Sequence, residues 1–471
     1  MSSVAVHTHL PAIIEAVVAG DRQALATRAH RAIACAEDAS ELIGQIGLLA
    51  MRGDTEGHTV LMLGAATMLA RKLIALRRVL GEDGQEEARC VSLVTGVLAA
   101  ATAAVQAGLD APCQYPKAIF PSDLSENETV SSRMHKAIDE RDALMVERLL
   151  FGLYGTGADY RTMGIRLYDA LSQTFEEDGH VLLYAVRGAQ VLDAGAWGED
   201  APHYLHWLAP HLPRQSTEPV WLETVRSFLR GPQHHLESYG TRLAAPKNEH
   251  ALPLRSLIHS AASPDAVCQA VYDALITHGA SAQGVGSVLA LAACDLLQKI
   301  DDTENDLFIR AAHGLLYASA TRLTFTQVQE SEALPQLFTA ACAVHALYTE
   351  LGSHPAALRT ARPGPTGGGL IAPALLESLN GQIAAQETDG AMAIAQRYLQ
   401  LGHDPHALIA TIGLGAAQAD PAADQGHVLQ LILASGDEYL AWPKDLANRE
   451  AEGFLQIALR AATRARRKVA A

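Results

Sequence analysis

The sequence predicts an all-α protein of four helical repeat units, each of roughly 120 residues, grouped as two pseudo-equivalent halves, 1–240 and 241–471. Three observations lead there. Apolar residues make up 49% of the chain, with abundant Ala, and aromatics only 5%. That mix favours packed helices, because Ala is the best helix former and β-branched or aromatic runs are scarce. Apolar residues recur at helical spacing, with no sustained alternation and no Asn-Gly hairpin signal. Finally, one device recurs four times: an acidic stretch, then a histidine, then an apolar helix.

In chain order, residues 11–36 and 39–51 read as the first helices, with Asp21 as a break or cap and Leu42, Ile43, Ile46 and Leu49 at helical spacing. The first histidine helix, 58–80, follows the acidic turn with Asp54 and Glu56, and 87–107 is apolar along Val91, Val94, Val97 and Leu98. Residues 111–130 carry three prolines and no helical period, which suits either a lid or a surface linker. Helices return at 131–154, 160–174 and 180–192; the last opens on Gly179-His180 after Glu176, Glu177 and Asp178. Two shorter helices, 200–212 and 220–229, close the first half, and the polar stretch 230–253 carries the boundary. The second half restarts with 254–262, 264–279 and 283–300, then an acidic insert (301–306, with Glu304 and Asp306) and the His313 helix. Helix 334–352 precedes a Pro/Gly-rich loop, 353–373. The last unit has helices at 374–385, 390–402 and 406–418, the His427 helix after Asp424, and a terminal helix from about 450.

Aligning the four histidines brings the upstream segments into register. Residues 42–48 and 408–414 share Leu-Ile-x-x-Ile-Gly-Leu; the other two units match mainly in pattern. A single helix pair cannot hide its apolar face alone, so neighbouring units must cover it.

The formal charge of −16 disfavours nucleic acid as a general partner. The basic cluster Arg460, Arg464, Arg466, Arg467 and Lys468 reads as cations complementing the dipole of a last helix that frays. Six scattered cysteines without a Cys-x-x-Cys predict a reduced, cytoplasmic protein without a disulfide framework. The N-terminus lacks a cationic start and a small-residue cleavage site, so no signal peptide is expected, and no membrane span either.

The stretch AAHGLLYASATR around His313, the helix that ends in His345, and the run from Asp178 through VLDAGAWGEDAPHYLHWLAPHL resemble uncharacterised bacterial proteins that join a helical region to a Rieske iron–sulfur domain. The resemblance implies a helical partner or metal domain of redox chemistry. A Rieske cluster needs Cys-x-His and Cys-x-x-His; only Cys342-Ala-Val-His345 fits the second, so no iron–sulfur cluster is implied.

Imidazole and carboxylate are usual ligands for first-row metals, and helix bundles build such sites from facing helices. His58, His180, His313 and His427 are therefore candidate ligands to iron or another first-row transition metal. Asp54, Glu56, Asp178 and Asp424 would complete the shell or hold the second ring nitrogen. Glu177, Tyr184 and Tyr317 are candidate proton carriers. An acid before Gly-His equally supplies a helix cap, and Tyr184 and Tyr317 equally pack in the core, since Met62 and Leu431 occupy the same place in the other units. His203-x-x-His206 with His211 has metal-compatible spacing but no accompanying Glu, and reads as surface or interface histidines. Gly364–Gly369 lacks the Lys-Ser/Thr of a phosphate loop, and no nicotinamide, flavin or nucleophile-elbow motif is found.

The expected function is a metal-dependent oxidoreductase acting on a small organic molecule between the repeats, covered by the Pro-rich loops. A homodimer or a redox partner protein is the macromolecular option. The alternative is a non-catalytic helical-repeat scaffold or binding module.

Overall fold

The computed structural model describes residues 8–80, 85–112, 114–157, 160–197, 200–213, 218–231, 239, 243, 251–301, 303–352, 371–442 and 448–470. The protein is all-α, and the described residues form no strand. Four helices make its centre: His58–Leu80, His180–Ala194, Asn305–Gln327 and His427–Ala441. The first packs on the second, the second on the third, the third on the fourth, and the fourth returns to the first. This closed ring has a core in which each helix buries a stripe rich in Leu and Ala, continuous with the rest of the hydrophobic interior. Residues 1–240 and 241–471 supply two helices each, so both halves share one core.

An outer layer covers the ring. Ala39–Met51 packs on the His58 and His180 helices, and Pro405–Ala419 on the His58 and His427 helices. These are the two segments with the shared Leu-Ile-x-x-Ile-Gly-Leu. Ala282–Lys299 lies along the His313 helix, and Asn448–Ala470 along the His427 helix.

Local chemistry sets the helix ends. Asp21 accepts from the Ala24 amide at 2.9 Å and divides the first predicted helix into Leu10–Val18 and Arg22–Ala34. Asp38, Asp142, Ser263, Ser281 and Asp404 cap their helices in the same way. The expected 131–154 helix is broken at Arg141, which has φ +61°, into Val130–Asp139 and Ala143–Gly155. The expected 87–107 helix is interrupted at Ala101 into Gln85–Ala100 and Thr102–Asp110. Among the described residues no single helix is long and apolar enough to cross a membrane.

The terminal cations differ from the expectation of a frayed, exposed end. Arg460 and Arg464 are buried. Arg460 donates to the carbonyls of Leu297 and Ile300, the last acceptors of the Ala282–Lys299 helix. Arg464 pairs with Asp424 at 2.7 Å. Both lie against the Phe308 ring. The side chains of Arg467 and Lys468 lie outside the described residues.

The Pro-rich segment 111–130 is docked rather than free. The Ile119 amide donates to the Arg148 carbonyl at 2.9 Å, Arg148 Nε donates to the Lys117 carbonyl at 2.9 Å, and Tyr115 packs on Phe151, His203 and His206. The loop expected at 353–373, including Gly364–Gly369, lies outside the described residues up to residue 370.

Candidate metal centre

His58, His180 and His427 are each the first residue of their helix, because a left-handed residue turns the chain just before it: Gly57 (φ +81°), Gly179 (φ +92°) and Gly426 (φ +79°). At two of these positions only glycine has room as well as freedom. A Cβ on Gly57 would strike the Tyr184 ring, and one on Gly179 the Tyr317 ring. Met62 lies over Gly426 in the corresponding place. The side chain four residues after one lead histidine thus covers the turn before another. His313 differs: its helix begins at Asn305, so the ring is presented from mid-helix and is preceded by Ala312 instead of a glycine.

The four rings meet. His427 Nε2 lies 3.0 Å from His180 Nε2 and 2.9 Å from His313 Nε2. The His180 and His313 ring centroids are 4.7 Å apart, and His58 is 5.3 Å from both His180 and His427. His58, His180 and His427 each place one ring nitrogen within 4.8 Å of the others. His180, His313 and His427 are buried.

The protonation pattern follows from the partners. A carbonyl can only accept, so at 2.6 Å the Asp424 carbonyl fixes the proton of His427 on Nδ1. His427 Nε2 is then a bare lone pair facing two other Nε2 atoms. One N–H can lie along that lone pair; the second close contact either crowds a further N–H onto the same lone pair or faces it with another, unless a cation lies between them. The Nδ1 atoms of His58 and His313 are buried without a hydrogen-bond partner. Burial, reinforced by the neighbouring imidazoles, favours the neutral form of three of these rings: it lowers His313 to about 2 and His427 to about 3, and also lowers His58.

This predicts a pH dependence for the metal-free protein. Histidine in the unfolded chain titrates near pH 6.5, so below that pH the unfolded state binds more protons than the folded cluster. Stability is therefore complete above about pH 6.5. It falls as pH drops towards the lowered folded values, by up to about 1.4 kcal/mol per pH unit for each of His313 and His427. Urea midpoints measured in chelator should decline from pH 7 to pH 5; a flat profile contradicts this account of the cluster.

The acids take other parts than the expected shell. The Asp54 carboxylate accepts from the Gly57 and Val60 amides at 3.1 and 2.7 Å, which makes it the cap of the His58 helix; burial outweighs these bonds and raises its pKa. The Asp424 carboxylate belongs to Arg464. Glu56 is exposed, and its backbone carbonyl accepts from the Tyr184 hydroxyl at 3.0 Å. Asp178 comes nearest to holding a ring, 3.7 Å from His313 Nδ1. Glu304 and Asp306 are exposed, and the side chain of Glu177 lies outside the described residues. The Tyr317 hydroxyl accepts from Gln336 at 2.7 Å, and burial pushes its pKa up. Both tyrosines thus serve as packing lids on the glycine turns, with their hydroxyls engaged by Glu56 and Gln336.

The remaining histidines are held separately. His206 pairs with Glu147 at 2.5 Å, His203 lies 3.7 Å from Asp200, and His211 packs on Tyr184 with its pKa lowered to about 4 by burial and by His58. His345 Nδ1 donates to the Ile258 carbonyl at 2.8 Å, and Cys342 faces Cys268, with the sulfurs 3.6 Å apart.

An open cleft of about 430 Å³ reaches the cluster from one side, with His313 in its wall beside Asp178, Asp306, Arg310, Asp424 and Gln425. Among the described residues, none of the 111–130 segment lines it. No family model matches the chain, and no curated protein or solved structure matches it either.

Proposed function

We propose that the four histidines bind one first-row transition-metal ion and that the chain is a metal-dependent oxidoreductase whose small organic substrate enters through the His313 cleft. The observation that carries this reading is the pair of Nε2–Nε2 distances at His427, 2.9 and 3.0 Å. Two nitrogens bound at right angles, each about 2.0–2.1 Å from one ion, lie about 2.9 Å apart; at the tetrahedral angle they lie about 3.3 Å apart. The spacing therefore favours an octahedral or tetragonal ion such as iron, copper or nickel over tetrahedral zinc.

The second ring nitrogens support the same reading. With Nε2 on an ion, His313 Nδ1 carries a proton and Asp178 is the carboxylate placed to receive it, while His427 Nδ1–H already bonds to the Asp424 carbonyl. A purely structural cluster leaves the buried His58 and His313 Nδ1 atoms without a hydrogen-bond partner and two nitrogens crowded on the single lone pair of His427 Nε2. The cleft volume falls in the range of small-molecule sites, roughly 300–1,000 Å³.

Four related units around a pseudo-fourfold axis would account for this convergence. Tyr184 covers Gly57, Tyr317 covers Gly179 and Met62 covers Gly426, so each contact runs from a unit to the one before it, and the first unit closes on the last.

Elemental analysis of the purified protein tests the proposal. About one iron, copper or nickel ion per chain is expected. Metal-free protein overturns the reading, and zinc alone overturns its redox part.

A further inference from the structure

The cleft beside His313 carries unanswered charge of one sign. Three carboxylates line it, Asp178, Asp306 and Asp424, with one cation, Arg310. Arg310 is already occupied by Glu350, Nη1 to Oε1 at 2.8 Å and Nη2 to Oε2 at 2.9 Å. Asp424 is likewise occupied by Arg464 at 2.7 Å. Neither Glu350 nor Arg464 is in the wall, so each pair is completed from outside the cleft. Asp178 and Asp306 remain. Among the described residues neither is paired with an arginine or a lysine, and both are exposed.

His313, 7% exposed, stands in the same wall, and its Nδ1 has no hydrogen-bond partner. The Asp178 carboxylate is 3.7 Å from that nitrogen, beyond hydrogen-bond length, so it lies beside the ring without being held by it. A carboxylate has about four acceptor sites, so Asp178 can take the His313 N–H and a donor from a ligand together. The rest of the described wall, Asn305, Ile309 and Gln425, adds no charge, and half-buried Ile309 offers apolar surface. An anionic substrate would enter against two free carboxylates; a cation is drawn by them, and a cleft focuses that field.

We infer that the substrate admitted by the His313 cleft is a small organic cation, a primary amine whose ammonium group donates to Asp178 in the joint field of Asp178 and Asp306 and whose alkyl part lies on Ile309. This substrate class presupposes the proposed function only in taking the cleft as the route to the histidines. It adds the sign of the substrate's charge, which the histidine cluster alone does not set.

Saturation transfer from the purified whole chain to propylammonium, 1-propanol and propionate, three probes of nearly equal size, reads the preference at low ionic strength. Propylammonium should bind at least about fivefold tighter than 1-propanol, the effect of one unit charge at about 4 Å in water, and propionate should show no transfer. Asp306→Asn and Asp178→Asn should each narrow the gap between propylammonium and 1-propanol; asparagine suits position 178, where φ is +56°. Glu304→Gln removes an exposed acid of the same insert that does not line the cleft, and should leave the gap unchanged. Equal affinity for the three probes, a preference for propionate, a gap untouched by both aspartate variants, or a gap that Glu304→Gln narrows as much as they do, overturns the inference. Metal content measured on the same sample separates the two readings. Metal-free protein that still prefers propylammonium supports the cation site and loses the oxidoreductase; metal-loaded protein that takes the three probes alike keeps the metal and loses the amine.

Discussion

Replacing His427 by alanine should abolish metal binding while leaving the helical fold in place. His427 is the hub of the cluster: its Nε2 lies within 3.0 Å of the Nε2 atoms of both His180 and His313, and its ring is oriented by the Asp424 backbone carbonyl. Removing a group that only orients a ligand costs about 10–100-fold in metal affinity, so removing this ligand should cost more. Metal content should fall from about one ion per chain to near zero. The fold should survive, because the turn at Gly426 and the pairing of Asp424 with Arg464 do not need the ring. Far-UV circular dichroism and metal analysis of His427→Ala, beside a His206→Ala control outside the cluster, separate the two effects. Full metal retention in His427→Ala would contradict the account; a change in stability alone, with wild-type protein also free of metal, would favour a scaffold.

Truncating Glu438 to alanine should destabilise the protein by about 3–5 kcal/mol, the cost of leaving a buried charge unpaired. Glu438 is fully buried in the His427 helix and accepts from Arg322 Nε at 2.5 Å and from Ser319 at 2.8 Å. Burial alone would lower the Arg322 pKa, and Glu438 reverses that, so the guanidinium depends on this partner. The double variant Arg322→Met/Glu438→Leu should recover most of the loss, because apolar residues of similar volume replace buried ion pairs at little cost. Urea unfolding of the single and double variants checks this. A double variant no more stable than Glu438→Ala would show that the loss comes from packing and not from the stranded charge.

The convergence of the four histidines was legible because the device before them repeats: three share a glycine turn that makes histidine the first helical residue. His313 was legible only through the apolar run after it, since its helix starts earlier and Ala312 stands where the others have glycine. The acids were not legible in the same way. An aspartate ahead of a helix has the same sequence signature whether it caps amides, as Asp54 does, pairs with a distant arginine, as Asp424 does, or faces a ring, as Asp178 does. Tyr184 and Tyr317 were flagged for their spacing, yet their contact with Gly57 and Gly179 spans more than a hundred residues of sequence, which local periodicity does not encode. Arg460 and Arg464 read as tail charges because the carbonyls and the carboxylate that receive them lie far away in the chain.

Diffraction from crystals of the protein as purified, collected at the iron, copper and nickel absorption edges, tests the central claim most directly. The account predicts one anomalous peak about 2.0–2.2 Å from the Nε2 atoms of His180, His313 and His427, with a ring nitrogen of His58 also directed at it. Rings joined only by hydrogen bonds or water, with no peak among them, would contradict it.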